Sequence, residues 1–159
     1  MHGDLKAANV LVDSQFRAKI ADFGITCRRR RGFLRTSRAG GTLYWMSPEV
    51  LNGETINTPA SDLYALGVTI WEVYARAEPY AGEDVLEVLS LVKDTSREQD
   101  KRPAIHADFP TEICALMQSC WHKLPSSRPQ VDKKSVTKIY VRADAELLAQ
   151  TAEFAPAGC

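Results

Sequence analysis

The chain has 159 residues, 45% of them apolar, which is enough for one packed domain and too many for a disordered segment. Its 20 lysines and arginines balance its 20 aspartates and glutamates, so the overall field gives no reason to expect nucleic acid or an anionic membrane surface as the main partner. Cys27, Cys114, Cys120 and Cys159 form no CxxC pair and His2, His106 and His122 are scattered, which argues against a zinc site and for reduced thiols.

In chain order, Asn9 to Asp13 and Ala18 to Asp22 are two short apolar stretches joined by a polar link of hairpin length, and they predict an antiparallel strand pair. From Gly24 to Gly41 the composition turns basic and small, including the run Arg28 to Arg31, and predicts a long irregular loop. A helix is expected from Thr58, with Thr58 or Ser61 as cap, Pro59 and Asp62 in the first turn and Pro79 as terminator. Its body, from Leu63 to Tyr74, is apolar nearly all round, as in a helix at a domain centre.

A second helix is expected over Glu83 to Lys93, with Val85, Leu86, Val88, Leu89 and Val92 facing the core. A third, entered at Pro110 and Thr111, places Ile113, Leu116, Met117, Cys120 and Trp121 on one stripe. Beyond Pro129 the pattern weakens. Residues 131 to 141 are rich in β-branched side chains, 142 to 152 are helix-compatible, and Ala155 to Cys159 reads as a frayed end. Three helices and a hairpin make a mainly α fold, with a domain over 1–130 and a divergent helix or tail over 131–159.

Phosphoryl transfer needs a carboxylate to orient and deprotonate the attacking hydroxyl, and oxygen ligands for magnesium. Residues 2 to 9, HGDLKAAN, followed by the strand pair and then Ala21-Asp22-Phe23-Gly24, have that content. The first segment resembles the protein-kinase catalytic loop HRDLxxxN, and Asp22-Phe23-Gly24 resembles the DFG motif of that family. The resemblance continues in order through Gly41 to Glu49, similar to the docking segment that ends in APE, and Ser61 to Gly67, similar to the start of the central helix. It closes with Cys120-Trp121, Pro125 and Arg128-Pro129, and so covers residues 2 to 130.

The resemblance implies a helical C-terminal kinase lobe carrying a short catalytic-loop hairpin, with ATP and Mg²⁺ as cofactors and a protein as acceptor. It makes Asp4 the catalytic base, places Lys6 at the transferred phosphoryl group and makes Asn9 and Asp22 the magnesium ligands. Thr42 would belong to substrate docking, Glu49 and Arg128 would form a long-range ion pair, Asp62 would accept from the catalytic-loop backbone, and His2 would pack beneath that loop. Lys6 with Gly41-Thr42 is similar to serine/threonine kinases, while Trp45-Met46 and the closing signature are similar to tyrosine kinases. The mixture resembles the tyrosine-kinase-like group, whose members mostly modify serine and threonine.

Gly3 stands where many kinases carry an arginine that pairs with a phosphorylated activation loop, and Ser47 stands in place of an alanine. Arg28 to Arg31, Arg35 and Arg38 offer other cations, which makes Thr36 and Ser37 candidate phosphorylation sites. Nothing before Asp4 resembles the glycine-rich loop, the strand lysine or its glutamate partner. The expectation is therefore a fragment lacking the N-terminal lobe, marginal in stability and binding nucleotide weakly by itself. The alternative is a non-catalytic lobe that docks a regulatory protein. No signal-peptide order and no apolar run near the ~18 residues of a membrane span are present, which predicts a cytoplasmic protein unless a preceding region supplies an anchor.

Overall fold

The computed structural model describes residues 1–22, 40–54 and 58–130. The described part is mostly helical with one small two-stranded sheet. A 3-10 turn, Ala7–Asn9, leads into β1 (Val10–Val12), which pairs antiparallel with β2 (Ala18–Ile20) in the register Val10 to Ile20, Leu11 to Lys19 and Val12 to Ala18. Asp13 closes the link between them: its Oδ1 accepts the amides of Gln15 and Arg17 at 2.9 and 3.0 Å, and its Oδ2 takes Arg17 Nε at 2.9 Å. These bonds satisfy a turn in which Phe16 adopts a left-handed φ of 56°. Leu11, Val12, Phe16 and Ile20 stay exposed, so the hairpin is a platform and not part of the core.

A second 3-10 segment, Gly40–Trp45, is followed by the short α1 (Pro48–Leu51), which the sequence pattern did not reveal because one turn carries no periodicity. The 17-residue α2 (Pro59–Ala75) is the axis of the molecule. Thr58, not Ser61, caps it: the Thr58 side chain accepts from the Ser61 amide at 3.1 Å and the Ser61 hydroxyl accepts from the Thr58 amide at 2.7 Å, a reciprocal capping box. The helix stops before Pro79, because Arg76 enters the left-handed region at φ 50°. Tyr64, Val68, Ile70 and Trp71 are buried, whereas Val73 faces outward at 44% exposure, so the helix is not apolar-covered all round.

α3 (Val85–Lys93) begins two residues later than the pattern suggests, since Asp84 is its cap and accepts the Glu87 amide at 2.9 Å. With that start, Val88 and Val92 are buried with Val85 and Leu89 beside them, and Leu86 falls on the outer face at 78% exposure, contrary to the core assignment. α4 (Thr111–Cys120) packs along α2, burying Met117, Cys120 and Trp121. The approach is close: a Cβ on Gly67 would meet the Cβ atoms of Cys120 and Trp121 and the Met117 carbonyl, all at 3.1 Å. A 3-10 turn, Pro125–Ser127, then delivers Arg128 to the base of the molecule. Among the described residues no helix is long and apolar enough to cross a membrane. Phe23, Gly24, the basic loop with Thr36 and Ser37, and the tail over 131–159 lie outside the described residues.

Candidate functional site

The two ends of α2 organise the loop that contains Asp4. At its first turn, the Asp62 carboxylate accepts the His2 amide at 2.7 Å and the Gly3 amide at 2.8 Å. Gly3 takes a φ of 82°, a conformation glycine adopts without the Cβ clash that other residues meet there. The sequence reading treated this position only as a lost guanidinium, while the backbone supplies a second reason for glycine. His2 is buried, and its Nε2 lies 2.7 Å from the Ala21 carbonyl. A carbonyl can only accept, so Nε2 carries the proton and Nδ1 accepts the Asp4 amide at 3.3 Å.

Asp4 is thereby fixed from its backbone. Its Oδ2 accepts from Asn9 Nδ2 at 3.2 Å and lies 3.8 Å from Lys6 Nζ, and the same Asn9 nitrogen donates to the Asp4 carbonyl at 2.7 Å. The other oxygen, Oδ1, is buried and has no hydrogen-bond partner among the described residues. Lys6 Nζ donates to Thr42 Oγ1 at 3.1 Å, which joins the loop to the Gly40–Trp45 segment. Asn9 in turn accepts the Ala21 amide on its backbone carbonyl at 2.8 Å, so that Asp22 follows directly beside it. Asp22 has a left-handed φ of 61°, sparsely populated for a residue with a side chain and typical of places where a group must be aimed. Asp4, Lys6 and Asn9, close in sequence, thus share one neighbourhood with the distant Thr42 and, through the Ala21–Asn9 bond, with the backbone that leads into Asp22.

Glu49 and Arg128 meet below it. Arg128 Nη1 and Nη2 donate to Glu49 Oε1 and Oε2 at 2.7 and 2.9 Å, a two-pronged pair with Glu49 and Arg128 only 5% and 3% exposed. The remaining guanidinium protons reach the carbonyls of Ala60, His122 and Lys123. Burial pushes the Glu49 carboxyl up, but the Arg128 bonds and charge outweigh it and hold the group below its ordinary value.

Glu72, which sequence reasoning passed over, lies in the last turn of α2. Its Oε2 accepts the Ala7 amide at 2.9 Å and the Trp45 indole Nε1–H at 3.1 Å. The signal was present, since Glu72 is the one charged residue between Leu63 and Tyr74. Burial raises its carboxyl above the ordinary value, with Glu78 acting in the same direction and the two N–H donors and Lys6 opposing. An open groove of roughly 630 Å³ runs past this point, lined by Lys6, Thr42, Trp45, Glu72, Val73 and Arg76 among others.

Residues 1–137 match the family model described as protein tyrosine and serine/threonine kinase. The chain is 35% identical over 129 residues to the dual specificity protein kinase shkD of Dictyostelium discoideum, covering 81% of this chain and 17% of that protein. It is 34% identical over 129 residues to the serine/threonine-protein kinase CTR1 of Arabidopsis thaliana, covering 81% of this chain and 15% of that relative. With the dual specificity protein kinase shkA of Dictyostelium discoideum the identity is 36% over 135 residues, 83% of this chain and 25% of the relative. The chain therefore spans a quarter or less of the length of these relatives.

Proposed function

The chain belongs to the protein tyrosine and serine/threonine kinase family, and from that premise we propose that it is the helical C-terminal lobe of a kinase domain that transfers the γ-phosphoryl group of ATP to serine or threonine of a protein. The observation that carries this reading is the buried, unbonded Oδ1 of Asp4, held in place by Asp62, His2 and Asn9 while Lys6 stands beside it. A carboxylate fixed in this way, with a lone pair that no described donor uses, is suited to act as a base toward a hydroxyl.

In the step proposed, Asp4 orients the acceptor hydroxyl, whose oxygen attacks the γ-phosphorus. The new O–P bond forms as the bond to the bridging oxygen breaks, ADP departs with that electron pair, and the hydroxyl proton passes to the Asp4 carboxylate. The Lys6 ammonium, bridging Asp4 and Thr42, offsets charge on the transferred oxygens. The Lys6–Thr42 bond supports the serine/threonine class, because it joins the two residues whose types are similar to those of serine/threonine kinases.

Asn9 and Asp22 fit a magnesium site. Asn9 commits its Nδ2 to Asp4, which leaves Oδ1 as its ligand atom, and Asp22 brings a carboxylate from the adjoining strand end. Hard oxygen donors, few in number and completed by phosphate and water, suit that ion, which when bound neutralises phosphate charge. Reduced Cys114 and Cys120 fit a cytoplasmic setting.

The test is transfer of radiolabelled γ-phosphate to serine-, threonine- and tyrosine-containing peptides by these residues fused behind the nucleotide-clamping lobe of a relative. Serine or threonine labelling that falls about 100-fold or more in Asp4→Asn is expected. Labelling unaffected by Asp4→Asn overturns the assignment of the base, and no labelling at all returns the chain to the docking-module reading.

A further inference from the structure

A cavity bounded by the Asp4 loop, the stretch from Thr42 to Val50 and the first turns of α2 holds about 20 Å³, more than the roughly 10–15 Å³ that one water needs. Most side-chain oxygens of its lining residues are already engaged. Thr42 Oγ1 accepts from Lys6, Ser61 Oγ belongs to the capping box, both Asp62 oxygens accept loop amides and Asp4 Oδ2 accepts from Asn9. The two that are left, Asp4 Oδ1 and Ser47 Oγ, are both buried and have no hydrogen-bond partner among the described residues.

Ser47, only 1% exposed, is the residue that stands in place of the alanine of the related motif. It is also the cap residue of α1, yet its side chain accepts no helix amide, so its oxygen is not committed to the helix. The hydroxyl lies near the Glu49 carboxylate and helps to hold that carboxyl low, although the two make no hydrogen bond of ordinary geometry. A hydroxyl has one proton and two lone pairs, so it can turn the proton toward Glu49 and still accept from another neighbour, while an ionised Asp4 only accepts. Two acceptors on one small cavity call for a partner with two protons to give. Water is such a molecule, and it fits the space.

We propose that this cavity is a water-binding site: one ordered water donates a proton to Asp4 Oδ1 and the other to Ser47 Oγ, and so joins the Asp4 loop to the head of α1. The site itself stands on the cavity and its two oxygens. Its role rests on the phosphoryl-transfer reading, in which Ser47 is a positioning residue that acts on Asp4 through the water. Asn9 then steadies the carboxylate at Oδ2 and the water steadies it at Oδ1. Each carboxylate oxygen has two lone-pair sites, so a place for the acceptor hydroxyl remains.

Two measurements read the site without turnover. A high-resolution crystal structure of the lobe fusion is expected to show a water within hydrogen-bond distance of both Asp4 Oδ1 and Ser47 Oγ. Oxygen-17 relaxation dispersion of the 159-residue chain, which counts long-lived internal waters, is expected to fall by a single water in Ser47→Ala. A cavity without water in the parent, or a water that stays unchanged in Ser47→Ala, overturns the proposal. If Ser47→Ala does not fold, the parent crystal structure decides by itself. In the lobe fusion, Ser47→Ala is expected to lower kcat about tenfold while the KM values for ATP and peptide stay the same. An unchanged kcat after the water has gone overturns the positioning role. If the parent fusion shows no turnover, the phosphoryl-transfer reading fails, while density and dispersion still decide the water site.

Discussion

Glu49 and Glu72 are carboxylates drawn out of water at opposite ends of the same helical axis, and they titrate in opposite directions. Glu49 faces a guanidinium that matches it charge for charge and bond for bond, so burial is overcome and ionisation is favoured. Glu72 faces two neutral N–H donors and only the more distant Lys6, so burial wins. The lesson is that loss of water makes a rigid lock where a counter-charge is in contact, as at the buried Glu49, and an adjustable bracket where it is not, as at the half-buried Glu72. The lock lies at the base of the molecule and the bracket at its working face.

The largest effect is expected from removing the counter-charge. Arg128→Ala leaves Glu49 buried with no cation, and also strips donors from the carbonyls of Ala60, His122 and Lys123, which is worth about 3–5 kcal/mol. Urea unfolding should show most or all of the cooperative transition lost. A transition within 1 kcal/mol of the parent, on the order of a surface pair, means that the lock is dispensable and the contrast with Glu72 is false.

Next comes the packing that places lock and bracket at a set distance. Gly67→Ala puts a methyl group against Cys120, Trp121 and the Met117 carbonyl, and the carbonyl belongs to a helix that cannot yield like a flexible side chain. A loss of about 1–3 kcal/mol is expected. Since the displaced element is α4, which leads to Arg128, hydrogen exchange should rise around the Glu49–Arg128 pair and stay unchanged at Ala7. Equal loosening at both ends would mean that α2 does not separate the two.

A smaller effect, about 1 kcal/mol, is expected for Gly3→Ala, which places a Cβ in a left-handed backbone at φ 82°. The Asp62 bonds to the amides of His2 and Gly3 should hold the loop in place. Thermal unfolding would drop by a few degrees in this reading, and a stabilised variant would contradict it.

How much of this was legible in the sequence follows from the range of the interactions concerned. The helices over 59–75, 85–93 and 111–120 announced themselves because burial imposes a period, and the strand pair because turn chemistry is local. Boundaries slipped where a single residue decides them: Arg76 ended α2 ahead of Pro79, and the Asp84 cap turned Leu86 outward. The kinase motifs pointed to the family that residues 1–137 match. What they did not disclose was Glu72, whose partners Ala7 and Trp45 become neighbours only once α2 has packed. A lone acid in an apolar helix is a visible anomaly, but its meaning depends on what the fold brings to it.

The smallest effect separates the two glutamates by pH. For Glu49 the folded value lies below the ordinary 4.5, so its contribution is present above that value and is lost as pH falls through the lowered one. For Glu72 the folded value lies above 4.5, so its favourable contribution is complete below 4.5 and is lost as pH rises through the raised one. The groups that bear on Glu72 are the Ala7 and Trp45 donors, Lys6 and Glu78, with Arg76 also lining the groove. Glu72→Gln keeps an acceptor for both donors and removes the ionisation. Its stability should therefore match the parent below pH 4.5 and exceed it modestly at neutral pH, with the gap opening across the acid range, as urea melts at several pH values can measure. A gap that closes as pH rises would show that Glu72 is stabilised as an anion, and the two carboxylates would then be one kind of device and not two.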